Sequence, residues 1–567
     1  MRRIIKRRQF IEKSIRGAAF LGLGGGNLLI QGCSRSREWD LLVSGGVVYN
    51  GLGNPGSAVD IAVKDDRITL IGENLNKSKA ADVIEADGLA VSPGFIDVHT
   101  HTDVELIANP SAESFIRQGI TTEISGNCGF SPFPIADAIF EEEKERLKEE
   151  YDIDLDWRDI QGFFRRLEDS GIAHNYATLL GQGAVRGEVV GFDDEPPTAD
   201  DLLRMRALVE ENMKAGALGL STGLEYAPGS YAEIPEIIEL CREVARYNGI
   251  YATHMRSEGD LLLESIDESI AVARETGVSL QISHFKIAYP RNWPKVDAAI
   301  SKIEDAHESG IDILADRYPY IAGSTSLSYY FPLWALQGTT DDFIRRLRDP
   351  DLDGRLRSNA DEQERKLGSW DKVVICSVFT DKNKPLEGVN ILDAAASAGK
   401  APYDFMRDLI IEEDNRVGMI TFMMNEPNLQ RILSHPLVVI GSDGSAVAPY
   451  GILHKGKPHP RFYGTFPRVL GRYAREEGIF TLSQAIRKIT SLPAGKFGLN
   501  GRGQIKEGFF ADLVIFDPDN VIDQATWTDP HRYPAGIEYV IVNGKIAVSG
   551  GEHTGALPGK IIRQQIS

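Results

Sequence analysis

Along this chain, short apolar runs rich in Val, Ile, Leu and Ala alternate with longer segments whose apolar positions recur at helical spacing. From Pro93 the unit is constant: an apolar run ending in polar or small residues, then a helical pattern. The runs are "GFIDVHTH" (94–101), "GITTEISGNCG" (119–129), "HNYATLLGQG" (174–183), "ALGLSTG" (217–223), "GIYATHM" (249–255), "SLQISHF" (279–285), "DILADRYPY" (312–320) and "PLVVIGSD" (436–443). Runs of this length bounded by turn residues read as buried strands. Between them lie segments such as "EIPEIIELCREVARYN" (233–248), and "LLLESIDESIAVARETG", which ends on Gly277 as a helix C-cap does. Eight strand–helix units predict an α/β fold, a (β/α)8 TIM barrel whose functional residues gather at the C-terminal ends of the strands.

Both flanks read differently. Residues 38–92, beginning "WDLLVSGG", alternate like short strands broken by Gly-rich turns, and so does 496–567 with "FFADLVIFDPD" and "IEYVIVNGKIAVSG". Each is too short for a good core of its own. Together they predict one small β-sandwich domain built from both chain ends, beside a barrel over 93–495. The stretch between the seventh and eighth runs is far longer than a normal connection. "DDFIRRLRD" and "LDAAASAGKAPYDFMRDLIIEED" in it carry helical patterns, which predicts an inserted lid over about 332–420.

Residues 1–33 stand outside the fold. "RRQFIEK" (7–13) is a twin-arginine export pattern, a mildly apolar, glycine-rich stretch follows, and "IQGC" closes it like a lipobox in which Cys33 is lipidated. A membrane-spanning helix needs about 20 apolar residues, so this reads as a removed signal. The expectation is a bacterial periplasmic or cell-envelope lipoprotein, exported by the twin-arginine route and held to a membrane only through the lipid on Cys33. Residues 1–32 hold seven basic residues and one acidic, so their removal takes the formal charge from −20 to −26. So acidic a body argues against a nucleic-acid partner, which needs clustered Lys and Arg. Three cysteines remain, with no CxxC, which argues against a disulfide framework or a zinc ribbon. Cys241 and Cys376 lie in apolar surroundings and read as inert thiols.

Histidine is scarce, 11 in 567 residues, so its placement is informative. His99 and His101 end the first run, Cys128 follows the second, His254 ends the fifth, His284 the sixth and Asp443 the eighth. Residues distant in sequence thus converge on one rim. Imidazole, thiolate and carboxylate suit Zn²⁺, and a catalytic zinc keeps an open position for water. Strand alternation puts His99 and His101 on one side, and the Cys128 thiolate can bridge two metals. Zinc brings bound water to hydroxide near neutral pH. Asp443 would take the water's proton and return it to a leaving nitrogen. This is metal-assisted amide hydrolysis. His174 starts the third run, on the opposite rim, and reads as structural.

"PGFIDVHTHTD", with the flanking β-segments and the strand-8 aspartate, resembles the amidohydrolase superfamily. More closely, the chain resembles the D-aminoacylases (N-acyl-D-amino-acid deacylases). "GNCG", "THMRSEG", "ISHFK", "YPYIAGST", "GSDG" and "PHPRFYGTFPRVLG" all look like that family's segments, and the match runs from about Asp40 to beyond Asn543. The resemblance implies hydrolysis of a small-molecule N-acyl-D-amino acid to a carboxylate and a free D-amino acid. It implies that Cys128, His254 and His284 hold a tightly bound zinc. His99 and His101, with Asp443, would form a second, weaker position, Asp443 being also the general acid/base. Arg461 matches the arginine that grips the substrate carboxylate, for which a planar fork is suited. Lys286, Tyr318, Ser324 and Tyr226 match residues lining the substrate site.

There are departures from the family. D-aminoacylases that prefer apolar side chains carry an aromatic residue just before Tyr226. Here Glu225 stands there: facing the side-chain pocket it would disfavour acidic D-amino acids and favour basic or polar ones, and the alternative is that it points to solvent. The segment 444–460 is longer than the family's usual spacing; within it His459 fits the motif and His454 reads as a surface residue. A cyclic-amide hydrolase of the dihydropyrimidinase kind carries a carboxylated lysine after strand 4, where this chain reads "ALGLSTGLEY". A dipeptidase for D-residues breaks the same bond and stays open. A lipid-anchored binding protein that had lost the chemistry would have lost ligands or base, and all six are kept.

Overall fold

Residues 37–565 are described by the computed structural model, so the leader expected at residues 1–33 lies outside the described residues. Eight parallel strands form the ring: β1 (Phe95–Asp97), β2 (Ile120–Ser125), β3 (Asn175–Thr178), β4 (Gly219–Gly223), β5 (Ile250–His254), β6 (Ser279–Ile282), β7 (Ile313–Arg317) and β8 (Val438–Ile440). β1 to β3 pair in sequence order, and so do β4 to β8. The chain breaks after β3 and restarts as Leu180–Gly181, which pairs with β4. A parallel bridge between Thr100 and Gly444 closes the ring. Ile96, Ile124, Ala177, Leu218, Ile250, Leu314 and Val439 form one buried cluster drawn from successive strands, the packed filling of a barrel.

The helices follow the amphipathic patterns. Ile234–Ala245 buries Ile237, Leu240, Cys241 and Val244 on one face. Leu262–Thr276 ends on Gly277 in the left-handed conformation, with its N–H on the Ala273 carbonyl. Strand β1 departs from expectation. It ends at Asp97, so His99 and His101 stand beyond the strand and not on it. Asp97 Oδ1 accepts the N–H groups of His99 (3.2 Å) and Ser442 (2.9 Å), and a side chain there replaces the ladder.

Beside the barrel, Leu513–Phe516 pairs antiparallel with Ala90–Pro93 on one side and with Ile537–Val542 on the other. Strands from the two chain ends thus share a seven-stranded sheet. A four-stranded sheet of Trp39–Ser44, Asp60–Lys64, Arg67–Gly72 and Ala80–Glu85 packs on it through Leu41, Val43, Ile61, Ile68, Leu513, Ile515 and Ile541. Between β7 and β8 a three-stranded antiparallel sheet forms from Gly323–Ser326, Gly418–Thr421 and Val373–Ser377. Helices Thr340–Arg348, Pro350–Leu367 and Pro402–Glu412 surround it over a core that includes Tyr330, Phe343, Trp370 and Met406. This insertion starts at Gly323, earlier than the expected 332, because "GSTS" has no apolar run to mark it as a strand. Among the described residues no helix is long and apolar enough to cross a membrane.

Candidate metal and substrate site

The rim begins with backbone geometry. After β2 the "GNCG" turn brings Gly126 to φ +71°, where a Cβ would lie 2.1 Å from the Leu179 carbonyl oxygen, and Gly129 to φ +78°, where it would lie 2.7 Å from the Gly223 nitrogen. Only glycine fits such positions. Cys128 between them has φ +53°, and His284 (+34°) and Asp443 (+52°) are also left-handed. Each such non-glycine residue costs about 1–3 kcal/mol and persists only where its surroundings over-determine it. The surroundings here are specific: Asp316 Oδ1 accepts the His284 N–H (2.7 Å), and the His99 carbonyl accepts the Asp443 N–H (2.8 Å). Three strand ends are bent to bring their side chains to one place.

Cys128 Sγ lies 3.3 Å from His284 Nε2 and 3.4 Å from His99 Nε2. Donor atoms of Cys128, His254 and His284 lie within 4.8 Å of one another, and so do those of His99, His101 and Cys128, so the thiol is common to both sets. Asp443 Oδ1 is 3.1 Å from His101 Nε2 and 3.6 Å from His99 Nε2. The outward-facing nitrogens meet carboxylates: His99 Nδ1 with Asp316 (3.2 Å), His284 Nδ1 with Glu258 (2.9 Å) and His254 Nε2 with Glu225 (3.3 Å). Burial pushes the Cys128 thiol up, but the His284 and His99 rings outweigh it and hold it well below its usual range, as a thiolate. His254 Nδ1 is buried with no hydrogen-bond partner. An orphaned ring nitrogen, a thiolate among imidazoles and carboxylates behind the rings fit a zinc site.

A cavity of about 880 Å³ opens on this cluster, and its wall includes Glu225, Tyr226, Lys286, Tyr318, Ser324 and Arg461. Arg461 is 3% exposed. Its Nη1 lies 2.8 Å from Asp443 Oδ2, its guanidinium sits 4.8 Å from the centre of the Tyr318 ring, and its Nε has no hydrogen-bond partner. The Tyr318 hydroxyl is also buried and unpartnered. Burial raises Asp443, but the Arg461 guanidinium and the His101 and His99 rings overcome it and hold the carboxyl well below the usual range. His459 accepts the Arg461 N–H on Nδ1 (3.0 Å) and donates from Nε2 to the Ala322 carbonyl (3.0 Å). Burial and the Arg461 charge keep it neutral. Ser324 Oγ donates to the Met419 carbonyl (2.9 Å), and its own carbonyl faces Arg461 Nη2 at 3.4 Å. The Tyr226 ring packs edge-on against His254, 4.9 Å between centres. Lys286 Nζ lies 2.8 Å from His284 Nδ1 and bonds Glu258.

Glu225 turns toward His254 and not to solvent. His174 is buried, 2.9 Å from Glu123 and outside the cavity wall. His454 is exposed, its ring 4.4 Å from that of His531. Cys241 and Cys376 are buried, and burial pushes Cys376 up to about 11. Cys376, from the inserted sheet, nevertheless lines the cavity. Sequence reading passed over Glu258 and Asp316. An acid inside the apolar run "DILADRY", and one four residues after His254, were the available signals.

Comparisons with known proteins agree with one another. The amidohydrolase family profile matches residues 82–548. A D-aminoacylase of Alcaligenes xylosoxydans xylosoxydans is 37% identical over 533 residues, which covers 93% of this chain and 98% of that one. Among solved structures, an N-acyl-D-glutamate deacylase of Bordetella bronchiseptica, complexed with zinc and a phosphonate mimic of the tetrahedral intermediate, superposes with a TM-score of 0.78. It is 32% identical, covering 93% of this chain and 99% of that one. A D-aminoacylase crystal structure gives a TM-score of 0.78 at 35% identity, covering 93% and 100%.

Proposed function

The chain belongs to the amidohydrolase family, in its D-aminoacylase group, and from that premise we propose that it hydrolyses N-acyl-D-amino acids to a carboxylate and a free D-amino acid with zinc. The observation that carries this reading is Arg461: a buried guanidinium with an unpartnered Nε, facing the cavity next to the Cys128 cluster. Such a fork takes a carboxylate in bidentate fashion, and the unpartnered Tyr318 hydroxyl beside it supplies a further donor. The cluster offers Cys128, His254 and His284 as one ligand set and His99, His101 and Asp443 as a second, weaker one. Zinc bound there polarises the amide carbonyl and makes water acidic enough to attack at neutral pH.

The chain's own groups do the rest. Arg461 and Tyr318 fix the substrate carboxylate, which sets the amide between them and the cluster. Asp443 takes the proton from the attacking water and delivers it to the leaving nitrogen. In the substrate-free site Arg461 is paired with Asp443, so a carboxylate that draws off the guanidinium also restores basicity to Asp443. Lys286, held by Glu258, presents a fixed positive charge on the cavity wall.

A cavity this large falls in the upper part of the range for ligand pockets. It also admits a longer acyl or an aminoacyl group, so a D-dipeptide is the second reading. No lysine follows β4, which disfavours a carboxylated-lysine cyclic-amide hydrolase. The leader pattern "RRQFIEK" and the "IQGC" ending support export by the twin-arginine route and a lipid anchor on Cys33. The test is release of free amino acid from paired N-acetyl-D- and N-acetyl-L-leucine, methionine, phenylalanine, lysine, asparagine and glutamate by zinc-loaded protein. Release from D forms alone is expected. Release from L forms at equal rates would end the proposal, and silence on the whole panel with cleavage of D-dipeptides would replace it by the second reading.

A further inference from the structure

Of the four histidines grouped around Cys128, His99 and His284 share one arrangement: Nε2 faces the sulfur, and Nδ1 lies within ion-pair distance of a carboxylate, Asp316 for His99 (3.2 Å) and Glu258 for His284 (2.9 Å). His254 is turned the other way. Its Nε2 is 3.3 Å from Glu225 Oε2, and its buried Nδ1 has no hydrogen-bond partner. Backbone register sets this up, because Gly223 at the end of β4 pairs with His254 at the end of β5 and Glu225 stands two residues beyond Gly223.

Glu225 is well held. The Tyr329 hydroxyl donates to Oε2 (3.0 Å), and the Glu258 N–H donates to Oε1 (3.3 Å). Its side chain is 16% exposed, and among the described residues its ion-pair partner is His254, with no Lys or Arg in reach. A carboxylate so enclosed costs free energy unless it is paired or hydrogen-bonded. The ring N–H of His254 adds a third donor to the Tyr329 hydroxyl and the Glu258 N–H, and it is the one that can carry a compensating charge.

We propose that Glu225 is the positioning carboxylate of His254. It accepts Nε2–H, fixes that tautomer, and leaves the Nδ1 lone pair as the one a metal at Cys128, His254 and His284 receives. A carboxylate behind a ligating imidazole orients the ring and raises its basicity. On this assignment the Glu225 charge is engaged with His254 and is not a reader of the substrate side chain. The proposal rests on the zinc reading of the site.

The test compares wild type, Glu225→Gln and Glu225→Leu for zinc dissociation constant, by chelator competition, and for the visible absorption of the cobalt(II) forms. Glu225→Leu should bind zinc about 10–100-fold more weakly, the usual cost of losing such a partner, with altered cobalt bands. Glu225→Gln keeps an acceptor oxygen and should recover most of the affinity and the wild-type bands. If Glu225→Leu holds zinc as tightly as wild type while the rates on N-acetyl-D-lysine, D-leucine and D-glutamate change relative to one another, Glu225 contacts substrate and the proposal is overturned. Should the leucine variant not fold, a crystal structure of the zinc-loaded wild type decides. Zinc about 2.0–2.1 Å from His254 Nδ1 supports the assignment, and zinc on Nε2 refutes it. Wild-type protein that retains no zinc would end the zinc reading and this proposal with it, whereas zinc held equally by all three proteins ends the proposal alone.

Discussion

Replacing Asp443 by Asn is the sharpest single perturbation of this site. Asp443 Oδ2 is 2.8 Å from Arg461 Nη1, and the side chains are 10% and 3% exposed. At an effective dielectric of about 20 the attraction of that pair is about 6 kcal/mol, before desolvation is set against it. Asn is isosteric and keeps an oxygen for Arg461, but it removes the charge and the proton acceptor. Loss of a positioned acid/base costs about 10²–10⁴ in rate, which is about 3–5 kcal/mol at 1.36 kcal/mol per tenfold. Because Arg461 is then no longer held by a carboxylate, the substrate has less to displace, and KM should fall and not rise. The assay is kcat and KM for an N-acetyl-D-amino acid, with zinc content measured on the same samples. An Asp443→Asn protein with full zinc and more than about a tenth of the wild-type kcat would refute Asp443 as the proton carrier. A clear rise in KM would refute the competition for Arg461.

Two further outcomes test other parts of the molecule. Cys128→Ser removes the thiolate of the proposed tighter ligand set, a sulfur whose neighbours also include His99 and His101, so it should lower zinc affinity by more than the roughly 100-fold upper limit for an outer partner; a full zinc equivalent surviving chelator challenge would contradict that. Lys488 donates to the carbonyls of His435 and Val438, and burial pushes it down from 10.5 to about 7. The unfolded chain keeps that proton to about pH 10.4. Between pH 7 and 10 the unfolded state therefore binds more protons, and wild-type stability gains up to about 1.4 kcal/mol per pH unit over that of Lys488→Met. Urea unfolding of both proteins at pH 7 and 9 measures this, and an unchanged difference would show that Lys488 stays charged in the fold.

The barrel was legible because buried parallel strands are short apolar runs, and the ligand types fell at their ends. What the sequence hid is of three kinds. Local strand endings depend on side-chain acceptors, so Asp97 cut β1 short without any change in the hydrophobic pattern. Left-handed backbone at His284 leaves no compositional trace, whereas Cys128 in "GNCG" and Asp443 in "GSDG" share one spacing of flanking glycines. Partnerships across the ring, such as Glu258 with His284 and Asp316 with His99, join residues whose spacing carries no motif. The direction of Glu225 belongs with these: its identity was plain, and its partner was fixed only by the register of β4 against β5.

The strand Leu513–Phe516 has a consequence for how the protein comes into being. It lies against Ala90–Pro93, which runs almost directly into β1 and the His99–His101 pair. During synthesis the ribosome delivers this histidine pair early, but the strand that seats it comes near the end. Pairings so distant in sequence make folding slow. The sheet that carries this histidine pair is therefore complete only once the last part of the chain has been made, and a metal taken up by the finished site would enter after synthesis.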